Sequence, residues 1–349
     1  MTPHRPALVT RRLGKTDLQV TVVGFGGIPI QVVPEDVALA TVRRAHNLGV
    51  NFFDTARGYT NSEERIGQAL DGGDYYVATK SGNREADGIY RDVERSLGNL
   101  RRHQIDLYQL HGVNDNDELE KVLAPGGAVE GLRRAREEGK IAHIGITGHR
   151  RETLVTAVQM CDDFATVQVP FNLVEDEILE SLMPVCADRD VGIIAMKPCG
   201  GGNFTNAPLA VKWCICQPIT VAIPGMATPQ EVEENLAGAQ SLELTPEERV
   251  AIDRMKSELD RRTCRRCRYC EPCPQGVQIS SLLHGRSIIR RMGAARWKEW
   301  GAIDIIASAE LCTECGECVT KCPYDLPIPE LLREVVAYCE TIPEIMCRP

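Results

Sequence analysis

The chain has 349 residues, a net charge of -9, 43% hydrophobic and 5% aromatic residues, and 15 cysteines. Such a composition excludes disordered, collagen-like and coiled-coil chains, and the length suits one barrel of roughly 250 residues plus a small module. The acidic balance argues against a nucleic-acid binder, and no stretch approaches the ~18 uninterrupted apolar residues of a membrane span. Met1 to Arg12 is polar and basic, without the apolar centre of a secretory signal. These features predict a soluble cytoplasmic protein, and in that reducing compartment clustered cysteines read as metal ligands or redox groups rather than disulfides.

Charge and cysteine are unevenly spread. From Arg261 onward 13 Lys/Arg stand against 11 Asp/Glu, whereas 27 stand against 38 before it. Eight of the 15 cysteines lie between Cys264 and Cys322. The shift places a domain boundary near residue 260, after a helix that opens with Thr245-Pro246-Glu247-Glu248: a cap, a proline in the first helical position and acids in the first turn. The expected domains are 1–260 and 261–349.

In chain order, short β-branched runs alternate with longer segments of helical period. Strands are predicted at 20–24, 51–54, 75–79, 105–110, 141–146, 166–169, 192–196 and 220–223. Helices are predicted at 36–48, 64–70, 88–100, 127–138, 151–161, 177–189, 209–216 and 230–240. The spacing from Asp54 to Pro224, about 28 residues per unit, is that of an α/β protein built as a (β/α)8 TIM barrel. An open doubly wound sheet fits less well, because Gly24-Phe25-Gly26-Gly27 lacks the third glycine and the helix start of a dinucleotide fingerprint.

Barrel chemistry gathers where strands end. Three predicted strands run into Asp54, Lys80 and His111, and Tyr59 follows Asp54 in the next loop. A lysine beside a tyrosine lowers the hydroxyl's pKa, an aspartate balances the lysine, and a histidine can donate to a substrate oxygen. Each residue alone has an ordinary structural role. Four compatible groups at successive strand ends instead suggest a proton-donating site for a carbonyl.

The first 260 residues resemble the aldo-keto reductase family. The resemblance rests on Asn51-Phe52-Phe53-Asp54-Thr55-Ala56 with Tyr59 and Ser62-Glu63, on Ala78-Thr79-Lys80, on Asp106-Leu107-Tyr108-Gln109-Leu110-His111, and on Gly139-Lys140 leading to Ile144-Gly145-Ile146. Gln168-Val169-Pro170-Phe171-Asn172 and Ile223-Pro224-Gly225-Met226, followed by Glu234-Asn235, extend it. It implies an NAD(P)H-binding barrel with a small carbonyl or alcohol substrate, Tyr59 as general acid, Lys80 and Asp54 as its tuning pair, and His111 orienting the substrate oxygen. It also implies a hairpin over 11–20 that closes the barrel bottom. Thr147, Gln168, Met196, Lys197, Pro198, Gly225, Glu234 and Asn235 would contact the nucleotide. The Ser-Asn pair common after the fifth strand is here Thr147-Gly148, the usual aromatic shelf is Met196, and the cations that often grip a 2′-phosphate match Gly225 and Glu231. A carboxylate at that place favours NADH over NADPH, unless a cation such as Lys197 compensates.

The tail contains Cys264-x2-Cys267-x2-Cys270-x2-Cys273-Pro274 and Cys312-x2-Cys315-x2-Cys318-x3-Cys322-Pro323. The second is the spacing of bacterial ferredoxins, in which the fourth cysteine of each run ligates the other cluster. Two 4Fe-4S clusters are therefore expected, one on Cys264, Cys267, Cys270 and Cys322, the other on Cys312, Cys315, Cys318 and Cys273. Two structural zinc sites are the alternative, though zinc usually draws separated Cys-x2-Cys pairs. The resemblance narrows accordingly to aldo-keto reductases with a C-terminal ferredoxin-like module. Arg261, Arg262, Arg265, Arg266 and Arg268 either offset cluster charge, attract an acidic redox partner such as a ferredoxin or flavodoxin, or form a solvated charge run. The stretch 279–300 reads as a helix whose Trp297 and Trp300 are candidates to line a substrate pocket. Cys161, Cys186, Cys199, Cys214, Cys216, Cys339 and Cys347 are expected to pack, Cys199 being the one near a cofactor-binding stretch.

Three functions fit: a nicotinamide-linked oxidoreductase whose clusters relay electrons or support the fold, a ferredoxin-fed reductase with a degenerate nicotinamide site, and a redox-sensing regulatory barrel. Hydride is a two-electron unit, so coupling it to clusters requires a group that splits the pair, and no flavin motif is present.

Overall fold

The computed structural model describes residues 8–204 and 206–346. These fall into two compact units, 8–199 with 206–248, and 200–204 with 249–346. The change of unit falls between Glu248 and Arg249, within the helix Pro246–Asp260.

Ten strands belong to the first unit: β1 Thr10–Arg12, β2 Gln19–Thr21, β3 Phe25–Gly26, β4 Phe52–Asp54, β5 Tyr76–Ser81, β6 Ile105–Leu110, β7 Ile141–Thr147, β8 Phe164–Pro170, β9 Gly192–Met196 and β10 Val221–Ile223. Strands β3 to β10 pair in sequence order, every pair parallel. Parallel bridges from Val23 to Ala222 and from Gly26 to Gly225 close the ring, with Gly24 N donating to Ala222 O and Gly26 N to Pro224 O at 2.9 Å. This is the (β/α)8 barrel, with helices covering the outer face of the sheet.

The expected first strand divides. Its N-terminal part, β2, pairs antiparallel with β1, while Val22 to Gly24 already bond to Ala222 in the barrel and β3 itself starts at Phe25. The run Val20-Thr21-Val22-Val23 suits either partner, so β-branching alone does not mark where the chain changes sheet. The β1–β2 hairpin is the one expected at 11–20. It seats Leu13, which is fully buried, in a layer with Val20, Phe52, Ala78, Leu107, Ile194 and Val221. Gly14 makes this approach possible: its φ is +51°, and a Cβ there would stand 2.2 Å from Gly192 N.

Side chains two apart on a strand share a face. The buried layer Phe52, Ala78, Leu107 is therefore followed on the same faces by Asp54, Lys80 and Gln109. An apolar barrel floor thus gives way, one pleat higher, to a polar layer.

The second unit contains short helices around Trp297, Leu282, Ala302, Ile328, Leu332 and Cys339. The single helix expected over 279–300 is three, Ile279–Leu283, Gly285–Met292 and Ala294–Glu299, broken at His284 and at Gly293, whose φ is +83°. Trp297 is a core residue of this unit, 1% exposed, and Gly285 admits it: a Cβ on Gly285 would meet the indole at 2.4 Å. Trp300 is 47% exposed. Cys161, Cys186, Cys214 and Cys339 are buried as expected, Cys199 and Cys216 are half-buried, and Cys347 lies outside the described residues. No helix among the described residues is long and apolar enough to cross a membrane.

Leu13→Ala should lower barrel stability by about 2–5 kcal/mol, the cost of a core cavity. Denaturant unfolding followed by barrel tryptophan fluorescence checks it.

Candidate functional site

Strand register sets the site. Lys80 on β5 lies beside Gln109 on β6, and Asp54 ends the preceding strand β4. Lys80 Nζ donates to Asp54 Oδ1 at 2.6 Å and to Thr55 O at 2.7 Å, with the lysine 1% and the aspartate 3% exposed. The ammonium stands 5.4 Å from the centre of the Tyr59 ring. That ring meets the His111 ring edge-on at 5.9 Å between centroids. The four residues expected to act together are thus gathered at the C-terminal ends of successive strands.

The loop that carries Tyr59 is braced on both sides. Ser62 N donates to Tyr59 O, and Ser62 Oγ ties Thr55 Oγ1 to Gly27 O, each at 2.7–2.8 Å. Glu63, 2% exposed, accepts from Arg57 and from the hydroxyls of Thr79 and Ser96 at 2.7 Å, and from Asn99 at 3.0 Å. Every polar atom that holds this turn is itself held.

Burial is the largest influence on the two ionisable neighbours of Lys80. It raises the Asp54 carboxyl above its ordinary value, against the opposing pull of Lys80 and of hydrogen bonds from Gln168 and Gln109. Burial, reinforced by the charges of Lys80 and Arg84, drives the half-buried His111 down to about 3. At neutral pH that leaves His111 as an uncharged imidazole that offers an N–H.

The expected nucleotide contacts are placed as follows. Gln168 is 2% exposed near the end of β8, and its Oε1 accepts from Gln109 Nε2 at 2.9 Å. Thr147 ends β7 and its Oγ1 accepts from Gly112 N at 2.9 Å, leaving the hydroxyl proton for another partner. Met196 ends β9 half-buried, followed by Lys197 in a left-handed conformation (φ +58°) and buried Pro198. Gly225 bridges Gly26, and a Cβ on it would meet Pro29 at 2.8 Å. Glu234 and Asn235 lie on the helix Pro229–Ala237; Glu234 accepts from Gln230 at 2.7 Å, and Asn235 Oδ1 is buried without a partner. Gly148 has no room for a side chain, since its Cβ would stand 2.4 Å from Val113 O. Cys199 is no nucleophile here: burial and Glu231 push its thiol up to about 12.

Two contributors escaped the sequence. Gln109 was visible only as a polar residue two positions before His111 on a buried strand. Arg84 donates to the carbonyls of His111 and Gly112 at 3.1 Å and fixes the loop behind the imidazole, and nothing in its local sequence marks it.

In the second unit the tail cysteines border two cavities. One is lined by Cys270, Cys273, Cys312, Cys315 and Cys318, with Val277, Ile279 and Leu332 among its apolar walls. The other is lined by Cys264, Cys267, Cys270 and Cys322 with Leu283, Leu326 and Ile328, so Cys270 borders both. Cys270 lies in electrostatic reach of Cys267 and Cys322, and Cys318 in reach of Cys312, Cys315 and Cys273. Among the described residues no three His, Cys, Asp or Glu groups converge on a single-ion site; each set of four thiols surrounds a volume instead. Glu314 and Glu317 flank the first cavity, Arg265 and Arg268 the second. Arg265 pairs with Asp260 and covers the Tyr324 ring at 3.8 Å, Arg262 pairs with Glu330 and Glu334, and Arg268 meets Glu271 at 3.2 Å.

A barrel with a Tyr-Lys-Asp-His cluster at its strand ends, beside a unit with two cysteine-lined cavities, defines an oxidoreductase class. The chain belongs to the aldo/keto reductase family, whose profile matches residues 22–208, and it carries a C-terminal 4Fe-4S dicluster domain matched over residues 263–327. It is 29% identical to L-galactose dehydrogenase of Arabidopsis thaliana, over 67% of this chain and 88% of that one. It is 30% identical to the uncharacterized oxidoreductase YqkF of Bacillus subtilis (strain 168), over 57% and 67% respectively. Among solved structures it resembles the holo form of aldo-keto reductase AKR11C1 from Bacillus halodurans (TM-score 0.63, 23% identity, 71% of this chain and 96% of that one). It also resembles an aldo-keto reductase from Klebsiella pneumoniae in complex with NADPH (TM-score 0.61, 24% identity, 72% and 96%). At those identities the two structures bear on the fold.

The unfolded chain protonates His111 near 6.5 and the folded one near about 3. Its contribution to stability is therefore full at neutral pH and lost as pH falls between these values. His111→Gln should flatten the acid loss of stability by up to about 1.4 kcal/mol per pH unit, read from unfolding midpoints at successive pH values.

Proposed function

We propose that this chain is an NAD(P)H-linked oxidoreductase that reduces a small carbonyl, or oxidises the corresponding alcohol, and that its eight tail cysteines hold two 4Fe-4S clusters. The observation that carries the first half is the buried Asp54–Lys80 pair set against the Tyr59 ring, with an uncharged His111 beside it. Tyr59 gives its hydroxyl proton to the carbonyl oxygen as negative charge develops there. Lys80 stabilises the tyrosinate left behind, Asp54 keeps Lys80 charged and in place, and His111 orients the oxygen through its N–H. A bound nicotinamide would supply the hydride.

The residues fit such a nucleotide. Asn235 Oδ1 is a buried acceptor still without a donor, Gln168 stands beside the catalytic cluster, and the Thr147 hydroxyl retains its proton. NADH is the preferred form, since Glu231 stands at a position matching one where the family often has a cation for the 2′-phosphate, and its carboxylate is held by Ala227 N, which donates to it at 2.6 Å. The thiol sets fit iron–sulfur clusters in donor chemistry and grouping, and the cross-paired assignment of Cys273 and Cys322 follows the two cavities. Bound clusters would add one-electron chemistry, and the arginines of 261–268 suit an acidic carrier such as a ferredoxin or flavodoxin.

Tyr59→Phe should lower kcat for carbonyl reduction about 100-fold or more while leaving nucleotide binding intact, measured by nicotinamide absorbance and by fluorescence titration with NADH and NADPH. Full turnover by that variant removes Tyr59 as the acid. Cross-pairing is tested by iron counts after anaerobic purification, about eight per chain being expected. Cys273→Ser combined with Cys315→Ser damages one cluster if the pairing is crossed, leaving about half the iron, and both if each run holds its own cluster.

A further inference from the structure

Gln109 is fully buried, and its single amide nitrogen stands between two groups of the site, 2.9 Å from Gln168 Oε1 and 3.4 Å from Asp54 Oδ2. A carboxylate only accepts, so the amide must turn its N–H2 toward Asp54, and its two protons then serve the two oxygens. Its own Oε1 is left buried without a partner. A buried amide carbonyl with no donor is costly, and a leucine would fill this barrel position without that cost. The neighbouring strand makes room for the longer side chain. Gly145 sits opposite Gln109 in register, and a Cβ there would lie 3.0 Å from Gln109 Cγ and 2.3 Å from Thr166 Oγ1.

We propose that Gln109 is a positioning residue that couples the proton-donating pair to the nicotinamide-holding side: it steadies ionised Asp54 beneath Lys80 and fixes which way the Gln168 amide faces. The inference rests on the functional reading above, with Tyr59 as acid and Gln168 beside the nicotinamide. With Asp54 anchored at Oδ1 by Lys80 and at Oδ2 by Gln109, the carboxylate cannot rotate, so Lys80 keeps its place against Tyr59. With Gln168 Oε1 taken by Gln109, the Gln168 amide has one orientation in which to meet a ligand. The charged and titratable groups around Asp54 are Lys80 on β5, then Tyr59 on the following loop and His111 at the end of β6, with Arg84 behind His111. Gln109 and Gln168 are the neutral groups facing it.

The sign of the effect follows from which form each bond favours. Gln109 hydrogen-bonds the ionised carboxylate, so its removal lets Asp54 take a proton at higher pH.

The test is Gln109→Leu, with Gln109→Glu and Tyr59→Phe alongside, in the full-length protein. The leucine variant loses the orphaned carbonyl but also takes the donor from Gln168 Oε1 and from Asp54 Oδ2, so its thermal midpoint should fall slightly, and the discriminating readout is the pH profile. Its kcat should fall about tenfold, the size expected for one hydrogen bond to a charged group. Its KM for NADH should rise, and the acid limb of its pH–rate profile should move to higher pH. Gln109→Glu places a second carboxylate against Asp54 and should move that limb further. A protein made less active only by looser packing would lose thermal midpoint and keep the limb where it was, and that result overturns the proposal. So does a leucine variant with wild-type kcat, KM and pH profile while Tyr59→Phe is inactive. If Tyr59→Phe keeps full turnover, the functional reading falls instead. The coupling is then read without turnover, from the infrared carbonyl band of protonated Asp54, assigned by its loss in Asp54→Asn. The band should appear at higher pH in Gln109→Leu than in the parent, and an unmoved band refutes the inference.

Discussion

Everything at the upper end of the barrel depends on keeping one ammonium and one carboxylate out of water. Lys80 and Asp54 are 1% and 3% exposed, and each would be expelled or neutralised if it were alone. The pair persists because its remaining hydrogen-bonding capacity is met from several strands: Thr55 O takes a second proton of Lys80, while the amides of Gln109 and Gln168 reach Asp54. The Lys80 ammonium is thereby held 5.4 Å from the centre of the Tyr59 ring. A mobile lysine would be screened by water, so the proposed tuning of Tyr59 requires this fixity, and it requires the braces on the loop around Glu63 because any such effect falls off with separation.

The sequence revealed the parts whose position follows from strand periodicity. Asp54, Lys80 and His111 end predicted strands, and ends of barrel strands converge, so their meeting could be foreseen without any contact information. Gln109 could not. Its role comes from two hydrogen bonds to residues 55 and 59 positions away in the chain, and locally it is one polar residue in Leu-Tyr-Gln-Leu. The missing side chain at Gly148 was visible, but its reason, the closeness of Val113 O, was not. The short helix Asn116–Leu123 also went unforeseen; its cap is Asp115, whose side chain accepts from Glu118 N, in a run of Asn and Asp that reads equally as loop. In the tail the two cysteine runs are local and were legible as such, whereas the proposed exchange of Cys273 and Cys322 between them is not set by local spacing. The second break within 279–300 turned on Gly293, a residue that a helical pattern tolerates until tertiary packing demands a positive φ.

The second unit shows a different balance. Apart from Ile328–Glu340 most of its helices are short, its apolar core is small, and Cys264, Cys270, Cys273, Cys312, Cys318 and Cys322 pack against that core rather than standing apart from it. In a domain of this size, core cysteines that hold the proposed clusters would link metal binding to folding, since binding and ordering the surrounding chain would be the same event. The arginine run is correspondingly less free than its sequence suggests. Arg262 and Arg265 are paired with carboxylates of their own unit, and Arg265 lies flat over Tyr324, so much of the positive charge is already balanced within the fold.

The barrel also shows where the cost of function is placed. Its floor is a closed apolar layer, sealed by Leu13 and by Gly14, which brings the hairpin into backbone contact with the start of β9. One pleat above lie a carboxyl group whose pKa burial raises above its ordinary value, and the atoms Gln109 Oε1 and Thr166 Oγ1, buried and without partners. Each of these opposes folding, and none would be present if the layer served only to fill space. The sign of the Asp54 shift makes the point directly. Because burial raises its folded-state value, ionising Asp54 costs stability as pH rises through that value, yet the ionised form is the one that holds Lys80. The floor supplies the stability that the polar layer gives up, and the division between them follows the pleat of the strands: residues 52, 78 and 107 fill the apolar floor, and residues 54, 80 and 109 form the polar layer on which the proposed chemistry rests.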